Sequence, residues 1–171
     1  VIGNPPYVLL QAATRDSALL AEADRWYRVA SFKVDLYHLF IERGVRLLSQ
    51  NGGVLTYITP ANFLTNNYCA PLREFLMENT SIAEVVTFDE AVFDASVESA
   101  IMIICNHAPA DVTFLEATKL PGKIRLQQIA AFPQKDLLPP DYIMRPMGGL
   151  GISRILAKLD LAAYTLDDVA R

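Results

Sequence analysis

The run Ala100-Ile101-Met102-Ile103-Ile104-Cys105 decides the fold. Six consecutive apolar residues, with no polar alternate, are what a strand carries when both of its faces are covered, as in a sheet packed between helices. Upstream of it, residues 82–88 read as a second strand. Before that comes a helix with Pro71 near its start and Leu72, Phe75 and Leu76 facing inward. Val54-Leu55-Thr56-Tyr57-Ile58-Thr59 is a further strand, closed by Pro60. Residues 34–49 carry the clearest helical period, with Leu36, Tyr37, Phe40, Ile41, Val45 and Leu48 on one face. Asn51-Gly52-Gly53 is expected to end that helix, because glycine accepts the left-handed conformation a helix end needs. A shorter helix is expected at 16–27. Val1-Ile2-Gly3 reads as a strand end running into a Pro-Pro turn. The order strand, helix, strand, helix, strand, strand predicts an α/β fold. Its sheet is mostly parallel, and its last two strands pair without a helix between them.

The rest of the composition is consistent with this. The chain has 171 residues, 52% of them hydrophobic and 20% charged, with a formal charge of −4. That apolar content at low net charge excludes a disordered chain, and the length suffices for one real core. No window approaches the roughly 20 uncharged apolar residues that span a bilayer. Cys69 and Cys105 alone build neither a disulfide scaffold nor a zinc site, so a reducing cytoplasm is expected. The start at Val1 rather than Met, inside a strand, leads to the expectation of a piece excised from a longer polypeptide. Residues 1–106 hold 7 basic and 12 acidic side chains, and residues 107–171 hold 8 and 7. The acidic part argues against a broad phosphate-binding surface there. After Asn106 the texture changes: Pro109, Pro121, Pro133, Pro139, Pro140 and Pro146 punctuate the chain, and residues 107–171 read as a connector. Gly148-Gly149-Leu150-Gly151 lacks the spacing of a phosphate loop and reads as a flexible entry to a short helix at 153–159.

The strongest chemical signal is Asn4-Pro5-Pro6-Tyr7, at the end of a parallel strand. Ligands of open α/β sheets bind beyond such carboxyl ends. An exocyclic base amine or a carboxamide nitrogen is a poor nucleophile, because its lone pair is delocalised. Two acceptors on its two hydrogens would raise its electron density and set its direction. Asn4 offers a side-chain carbonyl and Pro5 a backbone carbonyl. The two prolines remove N–H donors and stiffen the turn. Tyr7 offers a flat face for a planar group to stack on. The pattern describes a site for a planar amine donor; the plainer alternative is a Pro-Pro turn with an Asn cap.

This tetrapeptide matches the catalytic motif of the S-adenosylmethionine-dependent amino-methyltransferases. Asp35-Leu36-Tyr37-His38-Leu39-Phe40-Ile41-Glu42-Arg43-Gly44-Val45-Arg46-Leu47-Leu48 resembles the next helix of one branch, the N6-adenine DNA methyltransferases of restriction–modification systems that carry a separate target-recognition domain. Gly52-Gly53-Val54-Leu55, Pro60-Ala61-Asn62-Phe63-Leu64, Leu72-Arg73-Glu74-Phe75-Leu76, Val92-Phe93 and Ser99-Ala100-Ile101 continue the similarity, which covers residues 1–106. The resemblance implies a partial Rossmann-like methyltransferase fold with an antiparallel last strand. Residues 1–106 would be the C-terminal half of the catalytic domain, and 107–171 a connector towards a target-recognition domain. Asn4 and the Pro5 carbonyl would accept hydrogen bonds from adenine N6. Tyr7 would stack on a base flipped out of the duplex, and Phe93 would meet that base from another side. Phe40 would lie against the adenine of S-adenosylmethionine. Double-stranded DNA would be the partner of the parent protein, with no membrane and no metal involved.

Other readings stand beside these. Phe40 serves equally as core on an apolar helix face. Lys33 could contact a phosphate or simply be solvated, and His38 and His107 have no partners spaced as metal ligands or a general base. The same tetrapeptide serves enzymes acting on RNA adenine or on protein glutamine. A non-catalytic scaffold with a methyltransferase-like fold is the remaining alternative. The family's glycine-rich cofactor turn and its following acidic residue precede the motif strand and are not in this chain. The chain alone is therefore expected to bind cofactor weakly and to transfer no methyl group.

Overall fold

The computed structural model describes residues 1–10, 17–30, 34–93, 97–106 and 111–146. Lys33, His107 and the segment 147–171, with its glycine run and the helix expected at 153–159, lie outside them. Six strands form one sheet: β1 (Ile2–Gly3), β2 (Val54–Pro60), β3 (Ser81–Phe88), β4 (Ser99–Cys105), β5 (Asp111–Leu120) and β6 (Lys123–Pro133). Their order across the sheet is β1-β2-β4-β3-β5-β6. β1, β2, β3 and β5 run one way, and β4 and β6 run against them. β3 and β4 pair antiparallel, as expected, with no helix among the described residues between them. β4 also slots beside β2, which makes it an inner strand.

Among the described residues, three α-helices accompany the sheet: α1 (Ser17–Trp26), α2 (Leu36–Arg46) and α3 (Ala70–Asn79). α3 carries its proline in the first turn and buries Leu72, Phe75 and Leu76. On α2 the buried set is Tyr37, His38, Leu39, Ile41, Glu42 and Gly44, while Phe40 stands outside. Gly44 is there because α2 lies close to β2: a Cβ at this position would sit 2.9 Å from Leu55 Cδ2. The helix ends at Arg46, earlier than the glycines suggest. The Leu47 amide bonds the carbonyls of both Arg43 and Gly44, and the Leu48 amide bonds Val45, so the last turn tightens. Gly52, at φ +82°, serves the turn into β2 instead.

The core lies on the sheet face shared by Leu55, Met102, Ile104, Ile82, Val85 and Phe114, together with side chains from α2 and α3. Ala100, Met102 and Ile104 are fully buried on that face. Ile101 and Ile103, on the other face of β4, are half-buried, so the apolar run is fully covered on one side. The sequence reading assigned no element to 111–133, whereas the structure adds β5 and β6 there. Pro121-Gly122 is the two-residue turn between Leu120 and Lys123, with Gly122 at φ +71°, the proline-then-glycine pattern of a tight turn.

Buried polar groups tie the loops to this frame. The Glu42 carboxylate, fully buried, accepts the Arg28 amide at 3.1 Å and the Val29 amide at 2.9 Å, and it pairs with Arg46. Gln134 acts as an extra strand end. Its Oε1 accepts the Ile82 amide at 2.7 Å, and its Nε2 donates to the Thr80 carbonyl at 2.9 Å. Arg73 is fully buried and donates to three carbonyls: Asp141 at 2.6 Å, Phe63 at 2.7 Å and Asn66 at 2.8 Å. It thereby joins α3, the turn after β2 and the chain beyond β6. Replacing it removes three charge-assisted hydrogen bonds, one of them fully buried, at about 1 kcal/mol each. Arg73→Met is therefore expected to lower the unfolding free energy by about 3 kcal/mol in denaturant titrations.

Candidate active site

The motif follows β1 directly, at the end of the sheet where β1, β2, β3 and β5 all terminate. β1 pairs with β2 through Ile2–Thr56 and Gly3–Tyr57. Gly3 lies under the Tyr57 ring, whose Cε1 is 3.0 Å from where a Cβ would stand. Asn4, Pro5, Pro6 and Tyr7 then line one cavity of about 300 Å³ together with Phe93 and Val97. Phe93 comes from the loop after β3, and Val97 from the stretch that enters β4. The structure thus brings the motif and the second aromatic to one place, although 86 positions separate Tyr7 from Phe93. Val97 was missed by sequence reasoning; its only signal is an apolar residue just ahead of a strand.

Within the cavity, Asn4 is exposed, and among the described residues its carboxamide has no hydrogen-bond partner. Pro5 is buried and anchors the turn. Tyr7 is half-buried, and its hydroxyl donates to the Ile58 carbonyl of β2 at 3.0 Å. Burial raises the phenol above its ordinary pKa, so it remains a donor at neutral pH. The ring is pinned at its tip, and one face is left for the cavity.

A second layer braces Tyr7. The chain after the motif pairs with the entry to α2: the Leu36 amide bonds the Val8 carbonyl at 2.9 Å, and the Leu10 amide bonds Val34 at 3.0 Å. This brings Tyr37, fully buried, edge-on to the Tyr7 ring, with centroids 6.2 Å apart at 79°. The Tyr37 hydroxyl donates to Asn62 Oδ1 at 3.0 Å, in the 3-10 turn Ala61–Leu64 that closes β2. His38 stacks edge-on to Tyr37 at 4.4 Å, and its Nε2 is 3.7 Å from Cys69 Sγ. Burial lowers the His38 pKa to about 4 and pushes the Cys69 thiol up, so both are neutral at pH 7. Phe40 does not line this cavity. Its ring is 43% exposed on α2, so core packing does not explain it.

The family model described as Eco57I restriction-modification methylase matches residues 1–93. Among known proteins, the type II restriction enzyme and methyltransferase RM.Eco57I of Escherichia coli is 34% identical over 91 residues, covering 52% of this chain and 9% of its own. The chain spans between 9% and 20% of the length of the first curated relatives it matches. Among solved structures, the methyltransferase subunit of a type I restriction-modification system from Streptococcus thermophilus aligns with 97% of this chain and 32% of its own. Its TM-score is 0.53 at 18% identity. A Listeria monocytogenes protein assigned as a class I S-adenosylmethionine-dependent methyltransferase aligns with 68% of this chain and 35% of its own, with TM-score 0.54 at 20% identity. The structural likeness shows the expected fold. No helix among the described residues is long and apolar enough to cross a membrane.

The neutral His38 beneath Tyr37 makes the site's second layer sensitive to acid. Its folded pKa lies below the value of about 6.5 in an unfolded chain, so the unfolded state binds the extra proton between pH 6.5 and about 4. The contribution is whole above pH 6.5 and is lost as pH falls through that window. Unfolding free energy is expected to drop by about 2 to 3 kcal/mol more in wild type than in His38→Gln between pH 7 and pH 4.5.

Proposed function

The chain belongs to the Eco57I restriction-modification methylase family, and on that premise we propose that it is part of the catalytic domain of a DNA methyltransferase that modifies adenine N6. The observation that carries this reading is the single cavity shared by Asn4, Pro5, Pro6, Tyr7 and Phe93. An acceptor pair and two aromatic rings around one opening suit a planar ring bearing an exocyclic amine. Asn4 Oδ1 and the Pro5 carbonyl accept the two N6 hydrogens. That holds the amine in one orientation and stabilises the positive charge that develops on nitrogen. Tyr7 and Phe93 flank the ring of a nucleotide rotated out of the duplex. Tyr37 and the Ile58 carbonyl keep Tyr7 from turning away.

S-adenosylmethionine supplies the reactive methyl group when bound. Among this chain's residues Phe40 fits a role in holding it, because its exposed ring on α2 is free to receive the cofactor's adenine. The glycine-rich turn and acidic residue of the family are not in this sequence, so the 171-residue chain alone is expected to bind cofactor weakly and to be inactive. Residues 1–106 are read as the C-terminal half of the catalytic domain, and 107–171 as leading towards a target-recognition domain.

The test is transfer of labelled methyl to duplex DNA, RNA and protein by the full-length protein that carries this segment. Label is expected on DNA adenine. Asn4→Ala should lower kcat by about 100-fold or more with little change in KM for DNA. Tyr37→Phe keeps the ring edge and loses the hydroxyl's bond to Asn62 and its contact with Cys69, so it should cost about three- to tenfold in kcat. Label on RNA or protein would overturn the substrate, and no label on any of the three would favour the scaffold reading.

A further inference from the structure

The hairpin β5–β6 rises beyond the sheet on the same side as the motif. The last pair between β3 and β5 is Phe88–Ala117, and β5 continues for three more residues to Leu120 before turning. At about 3.3 Å per residue, the turn stands some 10 Å above the end of β3. β1 and β5 are four positions apart across the sheet, or about 19 Å at about 4.8 Å per strand. Residues 123–129 are exposed on both faces of β6.

The charge on this hairpin runs against that of the molecule. The chain is net acidic, yet residues 117–133 contain Lys119, Lys123 and Arg125 and no carboxylate. All three cations are exposed, and among the described residues none is in an ion pair. Strand alternation puts Lys123 and Arg125 on one face of the tip and Lys119 on the other. Below the tip lies a cleft of about 430 Å³ between the hairpin and residues 88–92, the stretch that leads directly into Phe93. Its floor is apolar, with Phe88, Val92 and Leu120. Lys119 and Lys123 stand on the hairpin side and Asp89 and Glu90 on the opposite side. Those carboxylates confine an anion to the outer, lysine-bearing rim.

We propose that the β5–β6 tip is a clamp for the nucleic-acid backbone, with Lys119, Lys123 and Arg125 holding phosphodiesters of the strand that feeds its base into the motif cavity. The proposal rests on the DNA reading above. A separation of about 19 Å corresponds to five or six nucleotides at about 3.4 Å each. The clamp therefore grips the duplex beside the flipped nucleotide and reads no sequence. Its link to the base pocket is the 88–93 loop, one end of which lines the cleft while Phe93 lines the cavity.

The experiment compares the full-length wild-type protein with the triple variant Lys119→Ala, Lys123→Ala, Arg125→Ala in binding duplex DNA across a salt series, alongside methyl-transfer kinetics. The magnitude of the slope of log affinity against log salt should fall by about 1 for each cation removed. KM for DNA should rise about tenfold or more, with kcat at saturating DNA within about twofold. Lys119→Arg with Lys123→Arg keeps the charge and should bind like wild type, which separates lost charge from a disturbed hairpin. An unchanged slope in the triple variant would overturn the clamp and leave the function standing. A wild type that neither binds nor methylates DNA would overturn both.

Discussion

The site depends on one short pairing. Ile2 and Gly3 lie parallel to Thr56 and Tyr57, and this register sets the height at which Asn4 leaves the sheet. A slip of one residue would turn every following side chain to the opposite face. Three contacts hold the register. The Tyr57 ring covers Gly3 so closely that a side chain there would have to displace it. The Thr56 amide reaches back to the Val1 carbonyl at 2.8 Å. Tyr7, four residues beyond, returns to β2 through the Ile58 carbonyl. The motif is therefore stitched to β2 before and after its own turn, and Pro5 and Pro6 stiffen what lies between.

β2 in turn is held by what surrounds it. β4 pairs with it along its whole length, from Val54–Cys105 to Pro60–Ser99, and Gly44 lets α2 approach Leu55. The turn that closes β2 carries Asn62, which takes the Tyr37 hydroxyl, and the Phe63 carbonyl, which takes a bond from Arg73. Buried polar side chains do locally what apolar packing cannot. Glu42 and Arg73 satisfy backbone groups of the connecting segments, and Gln134 satisfies those at the start of β3, groups that would otherwise lack partners. The result is a firm floor beneath the cavity that Asn4 and Tyr7 line.

The carboxyl edge of the parallel strands gathers the rest. The motif leaves β1, Phe93 follows β3, Val97 precedes β4, and the cationic hairpin tip extends β5. Four parallel strands with an antiparallel strand inserted among them place all these connections at one end. That geometry would let an acidic chain meet the nucleic-acid substrate proposed for it. The positive charge has to be local, and it sits on the hairpin that overhangs the edge.

The sequence by itself determined the elements up to Cys105 and displayed the chemical groups of the motif. The 3.6-residue period of α2, the apolar runs of β2 and β4, and the proline at the start of α3 are local signals that the packing did not override. Asn4-Pro5-Pro6-Tyr7 shows its acceptors and its ring without a partner in view. Local signals also ran out in identifiable places. The proline-rich stretch after Asn106 reads as a connector because Pro121-Gly122 marks a turn whether or not strands flank it, and only the pairing of β5 with β3 makes those strands visible. Phe40 and Tyr37 look alike on the helical period, yet one is exposed and the other fully buried, since the neighbours that bury Tyr37 come from distant segments. The meeting of Phe93 with the motif was decided by tertiary structure alone. Sequence spacing carries no information about which loops share a sheet edge; strand order does.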